Sequence, residues 1–164
     1  MPMRVLFLNP FHGGSHRAFA EGWARHSRHA LEVHSLPARF WKWRMRGAAL
    51  HFARSVRDPS SYDALVVTDL MSLSDLKALW GAACPPALAY FHENQLAYPD
   101  RFTQEWDFQF PLTNVKSALA ADECVFNSAY NLESFLEEIP RFLKRFPDEV
   151  PRGVPERIRE RSAV

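Results

Sequence analysis

AYFHENQLAYP, residues 89–99, is the stretch of this chain from which its fold is predicted. An apolar run from Pro86 to Phe91 ends there abruptly and is followed by four polar side chains, those of His92, Glu93, Asn94 and Gln95. Open α/β sheets bind ligands in the crevice beyond the carboxyl ends of their strands, so a buried strand that opens into polar residues predicts a binding site. A polar loop without a ligand is the alternative that composition leaves open.

Further apolar runs predict strands on either side of the central one. They are Met3–Leu8, which Asn9-Pro10 should end, Leu31–Leu36, Tyr62–Thr68 and Asp122–Phe126. Segments with helical spacing lie between them: one capped by Ser15, then residues 73–80, 112–121 and 131–139, the last ended by Pro140. Strands that alternate with helices favour parallel βαβ units with right-handed crossovers. The sequence therefore predicts an α/β fold, with a Rossmann-like parallel sheet and helices on both faces.

The length and composition of the chain indicate one domain. A chain of 164 residues has about the length of a single domain, and its 47% apolar content excludes wholesale disorder. We assign residues 1–146 to that domain and residues 147–164, which are charged and rich in proline, to a tail. From Arg141 onward we expect a peripheral helix followed by a loose tail. No apolar run approaches the ~20 residues needed to cross a bilayer, so we expect a cytoplasmic protein without a membrane anchor.

The turn after the first strand reads GGSH, residues 13–16. A double glycine lets another molecule approach the backbone, and the first turn of a helix offers free N–H groups to an anion or a sugar hydroxyl. A tight turn without a ligand is the equal alternative. His12 and His16 have the spacing of paired metal ligands, but the glycines between them break the helix that would hold both on one face. We expect no metal.

A basic segment interleaved with aromatic residues follows the second strand. Its candidate tRNA-binding residues are Arg39, Trp41, Lys42, Trp43, Arg44 and Arg46. Basic side chains neutralise phosphates and aromatic rings stack on bases, so the pattern is typical of a surface that contacts polynucleotides. An amphipathic helix whose tryptophans enter the core explains the same pattern equally well.

Several motifs in one order carry a resemblance. They are GGSH after the first strand, LPxxxWxWRxR after the second, YFHENQLxYP at the centre, DFQ at residues 107–109 and VFNSxxNxESFL at residues 125–136. Together, from Val5 to Phe146, they resemble the N-terminal domain of the tRNA-queuosine mannosyltransferase family. That family consists of glycosyltransferases of the GT-B class, similar to family 4, with two Rossmann-like halves.

The resemblance implies transfer of mannose from GDP-mannose to queuosine in the anticodon of aspartate tRNA, with retention and without a metal or other cofactor. His92 would lie next to the donor sugar, where it and Glu93 would orient the sugar, although Glu93 could instead be a base with a raised pKa. The remaining substrate contacts would come from Gly13, Gly14, Ser15, His16, Asn94, Gln95, Asn127 and Ser128. The C-terminal Rossmann-like half of such enzymes is not found in these residues, so we expect this chain to need it, in cis or in trans, for transfer.

Two other classes of function stay open. A glycoside hydrolase would place Glu93 and either Asp107 or Asp69 on opposite sides of a glycosidic bond. A tRNA-binding module without catalysis would use the basic segment alone.

Overall fold

The computed structural model describes residues 1–97 and 107–164; Tyr98 and Pro99 of the central motif lie outside the described residues. The described strands are β1 (Arg4–His12), β2 (Ala30–Pro37), β3 (Ala64–Thr68), β4 (Ala87–Phe91), β5 (Glu123–Phe126) and β6 (Ser162–Ala163). The described α-helices are α1 (Gly14–His26), α2 (Trp41–Ser55), α3 (Leu73–Trp80), α4 (Gln109–Ala120), α5 (Ala129–Leu143) and α6 (Val154–Arg159). None of these helices is long and apolar enough to span a bilayer.

The strands form one sheet in the order β2-β1-β3-β4-β5-β6, and every neighbouring pair is parallel. From β1 the chain moves outward to β2 and then returns to the other side of β1 to form β3. That reversal is a topological switch point, and a crevice is expected beyond the carboxyl ends of the strands that flank it.

Helices cover both faces of the sheet, as predicted. The two faces follow from the alternation along β1, where Leu6 and Leu8 join one apolar cluster and Val5 and Phe7 join another. The first cluster is completed by side chains of α2, α3, α4, α5 and α6, and the second by α1. The α/β, Rossmann-like fold is therefore confirmed.

Aromatic packing fixes the central strand. Phe91, the last residue of β4, stacks on Phe126 of β5 with ring centroids 4.6 Å apart and packs against Phe135 of α5 at 5.3 Å. All three rings are fully buried. Burial of each such side chain stabilises the fold by about 1.5–3 kcal/mol, so the end of β4 is held firmly where the polar residues begin.

Three predicted boundaries were wrong. Asn9 and Pro10 do not end β1, which continues to His12 because the Asn9 side chain is buried and hydrogen-bonded. Ser15 does not cap α1, whose N-cap is Gly13 without a side-chain hydrogen bond. Pro140 does not end α5, because the exposed proline faces solvent while the apolar side of the helix stays packed as far as Leu143.

The expectation of a loose tail was also wrong for the last residues. Val154 and Ile158, one helical turn apart on α6, are buried in the larger apolar cluster, and β6 adds a parallel strand beside β5. Arg161 donates hydrogen bonds to the carbonyls of Leu119 and Ala121, at 3.3 and 3.0 Å. These residues therefore fold as part of the sheet and its helical layer.

Candidate active site

Polar residues from four strand ends and one helix meet at the carboxyl edge of the sheet. The segment from Asn9 to His12 ends β1, Asp69 follows β3, His92 follows β4 and Asn127 follows β5. The first turn of α1 adds His16. Since parallel strands all finish at the same edge, the switch point and the central motif share one crevice.

Two histidine rings pack against each other at its floor. The centroids of His16 and His92 lie 4.0 Å apart with the rings tilted by 47°. Phe19 and Tyr90 pack around the His92 ring at 5.3 and 4.8 Å. Burial lowers the pKa of His16 to about 4 and that of His92 to about 3, with the charge of His16 adding to the second shift. Both imidazoles are therefore neutral near pH 7.

Each ring of this histidine pair keeps one nitrogen without a partner. Nδ1 of His16 and Nε2 of His92 are buried and have no hydrogen bond to any described residue. Buried polar atoms are normally satisfied, so an unpaired nitrogen at the end of a strand indicates that a water or a ligand hydroxyl completes it. A neutral imidazole can donate or accept such a bond without exchanging a proton.

A buried aspartate and a buried asparagine hold the segment His92–Gln95 at its two ends. Oδ1 of Asp69 accepts the backbone N–H of His92 at 3.0 Å. Oδ1 of Asn114 accepts the backbone N–H of Gln95 at 2.9 Å, and its Nδ2 donates to the carbonyl of Asp69 at 2.8 Å. Both side chains are buried. The central polar segment is therefore held by Asp69, which follows β3, and by Asn114 of α4.

Amide side chains fix the same segment from the side of α5. Asn94 is buried, its Nδ2 donates to Oδ1 of Asn131 at 2.7 Å, and its Oδ1 accepts the backbone N–H of Ala97 at 2.8 Å. Asn127 is exposed and donates from Nδ2 to the carbonyl of His92 at 2.7 Å. Asn94 thus orders the loop, whereas Asn127 also faces solvent.

An open cleft of about 280 Å³ lies between the ends of β4 and β5. Glu93, Asn127, Ser128 and the exposed Tyr130 are among the residues that line it. Burial raises the pKa of Glu93, which keeps its carboxyl group closer to protonation than an exposed glutamate. The Ser128 hydroxyl is occupied as the N-cap of α5, where it accepts the backbone N–H of Asn131 at 3.1 Å.

The two positions of the GGSH turn that hold glycine do so for different structural reasons. A Cβ atom at Gly13 would lie 2.4 Å from Cβ of Ala38, so close packing of the turn against the end of β2 requires glycine there. Gly14 has a φ of +52° and open space around its Cα. Ser15 is exposed and His16 is buried. The turn therefore places the backbone and Ser15 at the mouth of the crevice and His16 at its floor.

The structure divides the basic segment into a packed part and an exposed part. Trp41 packs against Phe110 with centroids 5.0 Å apart, Arg44 donates to the carbonyl of Pro37 at 3.3 Å, and Arg46 pairs with Asp107. Arg39, Phe40 and Trp43 are exposed, the two rings to 68% and 70%. Lys42 lies over the Trp41 ring at 5.6 Å. The packed part fits the amphipathic helix, while contact of the exposed part with a polynucleotide stays a prediction.

The described residues contain no group of three or more His, Cys, Asp or Glu side chains placed to hold a metal ion. His12 instead contacts Nδ2 of Asn9 through Nδ1 at 3.0 Å and lies 3.7 Å from a carboxylate oxygen of Glu21.

Sequence reasoning named Asp69 only as a carboxylate of the hydrolase alternative, and it missed the positions of Asn114 and Tyr130. Asp69 follows an apolar strand just as His92 does, and that repeated pattern was the signal for its place beside His92. Asn114 lies inside α4 among apolar neighbours, where nothing in the sequence distinguishes it.

Comparison with known proteins gives two findings. A model of the family described as tRNA-queuosine alpha-mannosyltransferase N-terminal matches residues 4–164. The tRNA-queuosine alpha-mannosyltransferase of Drosophila melanogaster is 37% identical over 163 residues, which make up 98% of this chain and 43% of that protein. The chain thus spans less than half the length of this curated relative.

Proposed function

Because the chain belongs to the tRNA-queuosine alpha-mannosyltransferase N-terminal family, we propose that it is the acceptor-side half of a glycosyltransferase. The complete protein would transfer mannose from GDP-mannose to queuosine in the anticodon of aspartate tRNA. The observation that carries the proposal is the closely packed, neutral pair His16 and His92 at the carboxyl edge of the sheet, with the His92 side bordering the cleft. A cytoplasmic location, where tRNA is modified, fits this role.

The proposed mechanism uses hydrogen bonds of the crevice to orient the sugar. With its pKa lowered to about 3, His92 would bind a sugar hydroxyl rather than act as a general acid, and Glu93 would contact the sugar from the cleft. The departing phosphate would accept the proton of the acceptor hydroxyl on the same face, which retains the anomeric configuration. No metal is proposed, so basic groups of a C-terminal half would stabilise the phosphate charge.

The geometry favours this reaction over glycoside hydrolysis. Two carboxylates must face the glycosidic bond from opposite sides of a sugar. Asp69 is only 1% exposed and its carboxyl group holds the backbone of His92, while the carboxylate of Asp107 is paired with Arg46. Glu93 therefore has neither of its two expected partners available.

The exposed part of the basic segment is the proposed tRNA contact. Arg39, Phe40 and Trp43 precede or begin α2, on the same edge of the sheet as the crevice. Exposed rings can stack on unpaired bases such as those of an anticodon loop, and Arg39 can neutralise a phosphate. Arg44 and Arg46 are engaged within the fold, so they contribute less to this surface.

The crevice is tested by His92→Ala in the full-length protein that contains this domain. We expect turnover of GDP-mannose with queuosine-containing tRNA to fall by about 10²-fold, because a misplaced sugar loses its reactive geometry. His26→Ala, an exposed histidine in the last turn of α1, is the matched control. Equal turnover of the two variants would remove His92 from the site.

The tRNA contact is tested by Trp43→Ala and Arg39→Glu in the 164-residue chain. Titration with tRNA should show weaker binding for both variants, and Arg39→Glu should also reduce the dependence of affinity on salt. Arg25→Glu, an exposed arginine at the far end of α1, is the control. Unchanged affinity in both variants would refute the assignment. Full tRNA affinity of a full-length protein that transfers no mannose would instead favour the binding module.

A further inference from the structure

The central polar segment, His92–Gln95, rests on a carboxyl group that has no cationic partner among the described residues. Asp69 accepts the backbone N–H of His92 through Oδ1, and Oδ2 of the same side chain is buried without a hydrogen-bond partner in that part of the chain. We propose that Asp69 is a positioning residue that holds this segment as a neutral carboxylic acid, and that its ionisation displaces the Glu93 side chain.

The charges around Asp69 favour the protonated form. A carboxylate left in the interior requires a cation or several donors to offset the lost hydration. Burial and the neighbouring Glu93 carboxylate raise the pKa of Asp69 well above its ordinary value, and they outweigh the backbone N–H groups that lower it. A charge on Glu93 therefore makes ionisation of Asp69 less favourable.

Within residues 1–97 and 107–164, the elements packed around Asp69 supply no compensating positive charge. From α1, His16 contacts the His92 ring and is neutral near pH 7. From β4 comes Tyr90, whose own pKa is raised by burial and by Asp69. On the side of α2 and α4, Lys42 and Arg46 lie over the Phe110 ring, at 6.0 and 5.0 Å, and Arg46 pairs with Asp107.

Ionisation of Asp69 would act on the site through Glu93. A second negative charge beside Glu93 repels that carboxylate and draws water towards Asp69, whereas the bond from the backbone N–H of His92 becomes stronger, because a carboxylate is the better acceptor. Glu93 would then lose the position from which it contacts the sugar. This consequence for turnover rests on the proposed function; the charge state of Asp69 does not.

The test compares Asp69→Asn with Asp122→Asn in the 164-residue chain. Asn keeps the acceptor for His92 and cannot ionise. We expect the free energy of unfolding of the wild-type chain to fall, relative to Asp69→Asn, as pH rises from about 4 through the raised pKa of Asp69, because the native state holds the proton more tightly than the unfolded chain. At pH 8 Asp69→Asn should be at least as stable as the wild type, whereas Asp122→Asn should be less stable. A larger loss of stability in Asp69→Asn at pH 8 than at pH 4 would overturn the proposal.

Two further measurements keep the test decisive. A ¹³C NMR titration of the wild-type carboxyl groups should show one Asp resonance that remains protonated at pH 6; its absence would overturn the proposal even if Asp69→Asn did not fold. In the full-length protein, Asp69→Ala should lower turnover and Asp69→Asn should restore it, while loss in both would contradict the neutral form. Failure of the proposed function would appear differently, as absence of mannose transfer by the wild-type protein.

Discussion

The two ends of β4 are each held by an aspartate, and the pKa values of the two aspartates are shifted in opposite directions. At the amino end, Oδ2 of Asp122 accepts the backbone N–H of Ala87 at 2.8 Å and pairs with Lys77 at 2.9 Å. Although burial alone would raise the pKa of Asp122, the Ala87 amide and Lys77 outweigh it and hold the pKa below its usual value. At the carboxyl end, Asp69 makes the corresponding bond to His92 without a cation, and its pKa is raised.

The difference separates a stabilising end of the strand from a functional one. The amino end has a charged pair near solvent, a small gain that any folded protein can use. The carboxyl end has unpaired ring nitrogens, a buried acid and neutral histidines. Each of these buried polar groups makes the folded state less stable than an apolar side chain in its place would. Clusters of perturbed titratable groups in a cleft are typical of functional sites in proteins, and the cluster beyond the carboxyl end of this strand borders such a cleft.

The largest expected effect comes from Asn131→Ala, which tests whether neutral hydrogen bonds hold the carboxyl end. Nδ2 of Asn131 donates to the carbonyl of Phe91 at 3.1 Å, and its Oδ1 accepts from Asn94. Removal breaks both bonds, while the Phe91 carbonyl keeps the backbone N–H of Asn127 and Nδ2 of Asn94 keeps longer contacts with the Asn131 carbonyl and Ser134. Denaturant unfolding should therefore show a loss of about 2 kcal/mol that does not vary between pH 6 and 8. Asn127→Ala, at an exposed position, should cost less than half as much. Equal costs would contradict this account.

The second-largest effect is expected in the loss of stability as the pH falls. Because burial lowers the pKa of His16 to about 4, the unfolded chain takes up a proton at higher pH than the folded chain, and stability is lost as pH falls from about 6.5 towards 4. In His16→Phe the slope of unfolding free energy against pH over this interval should fall by up to about 1.4 kcal/mol per pH unit, the value for one proton. His26→Phe is the control. An unchanged slope in His16→Phe would show that the His16 ring is hydrated in the folded state.

The smallest effect is expected at the amino end, from Lys77→Met. Asp122, with its lowered pKa, contributes stability above about pH 4 and loses it as pH falls through the folded value. Lys77→Met should therefore lower the unfolding free energy by about 0.5–1 kcal/mol at pH 7, with a smaller difference at pH 3 and in high salt. Lys116→Met, on the exposed side of α4, should have no such pH dependence. A constant difference at all pH values would mean that Lys77 acts only through its bond to the Ala120 carbonyl.

Elements with strong patterns were predicted well from sequence alone. The apolar run before His92 predicted β4 and the polar residues at its end, and the alternation of strands and helices predicted the parallel sheet. β6 was missed because two residues that follow a charged segment have no pattern of their own, and their pairing with β5 decides their structure. Proline signals misled at Pro140, where packing of the apolar face outweighs the one hydrogen bond that proline removes.

The sequence predicted individual residues of the candidate site but not how they are arranged. His16 and His92 were each candidates, but their contact depends on how α1 leaves the turn after β1, which no local pattern encodes. The basic segment shows the same limit, because the position of Phe110 decides that Trp41 is packed while Trp43 is exposed. Which side of a helix faces the fold is a tertiary property.

The N-cap of α2 has one further consequence. Phe40 takes a left-handed backbone conformation, with a φ of 56°, although its ring is exposed and a bulky residue adopts this conformation only at a cost of about 1–2 kcal/mol. Glycine would relieve that strain and would lose no buried contact. The chain would therefore be easier to fold with glycine at position 40, and what the phenylalanine offers instead is an aromatic surface turned towards the solvent.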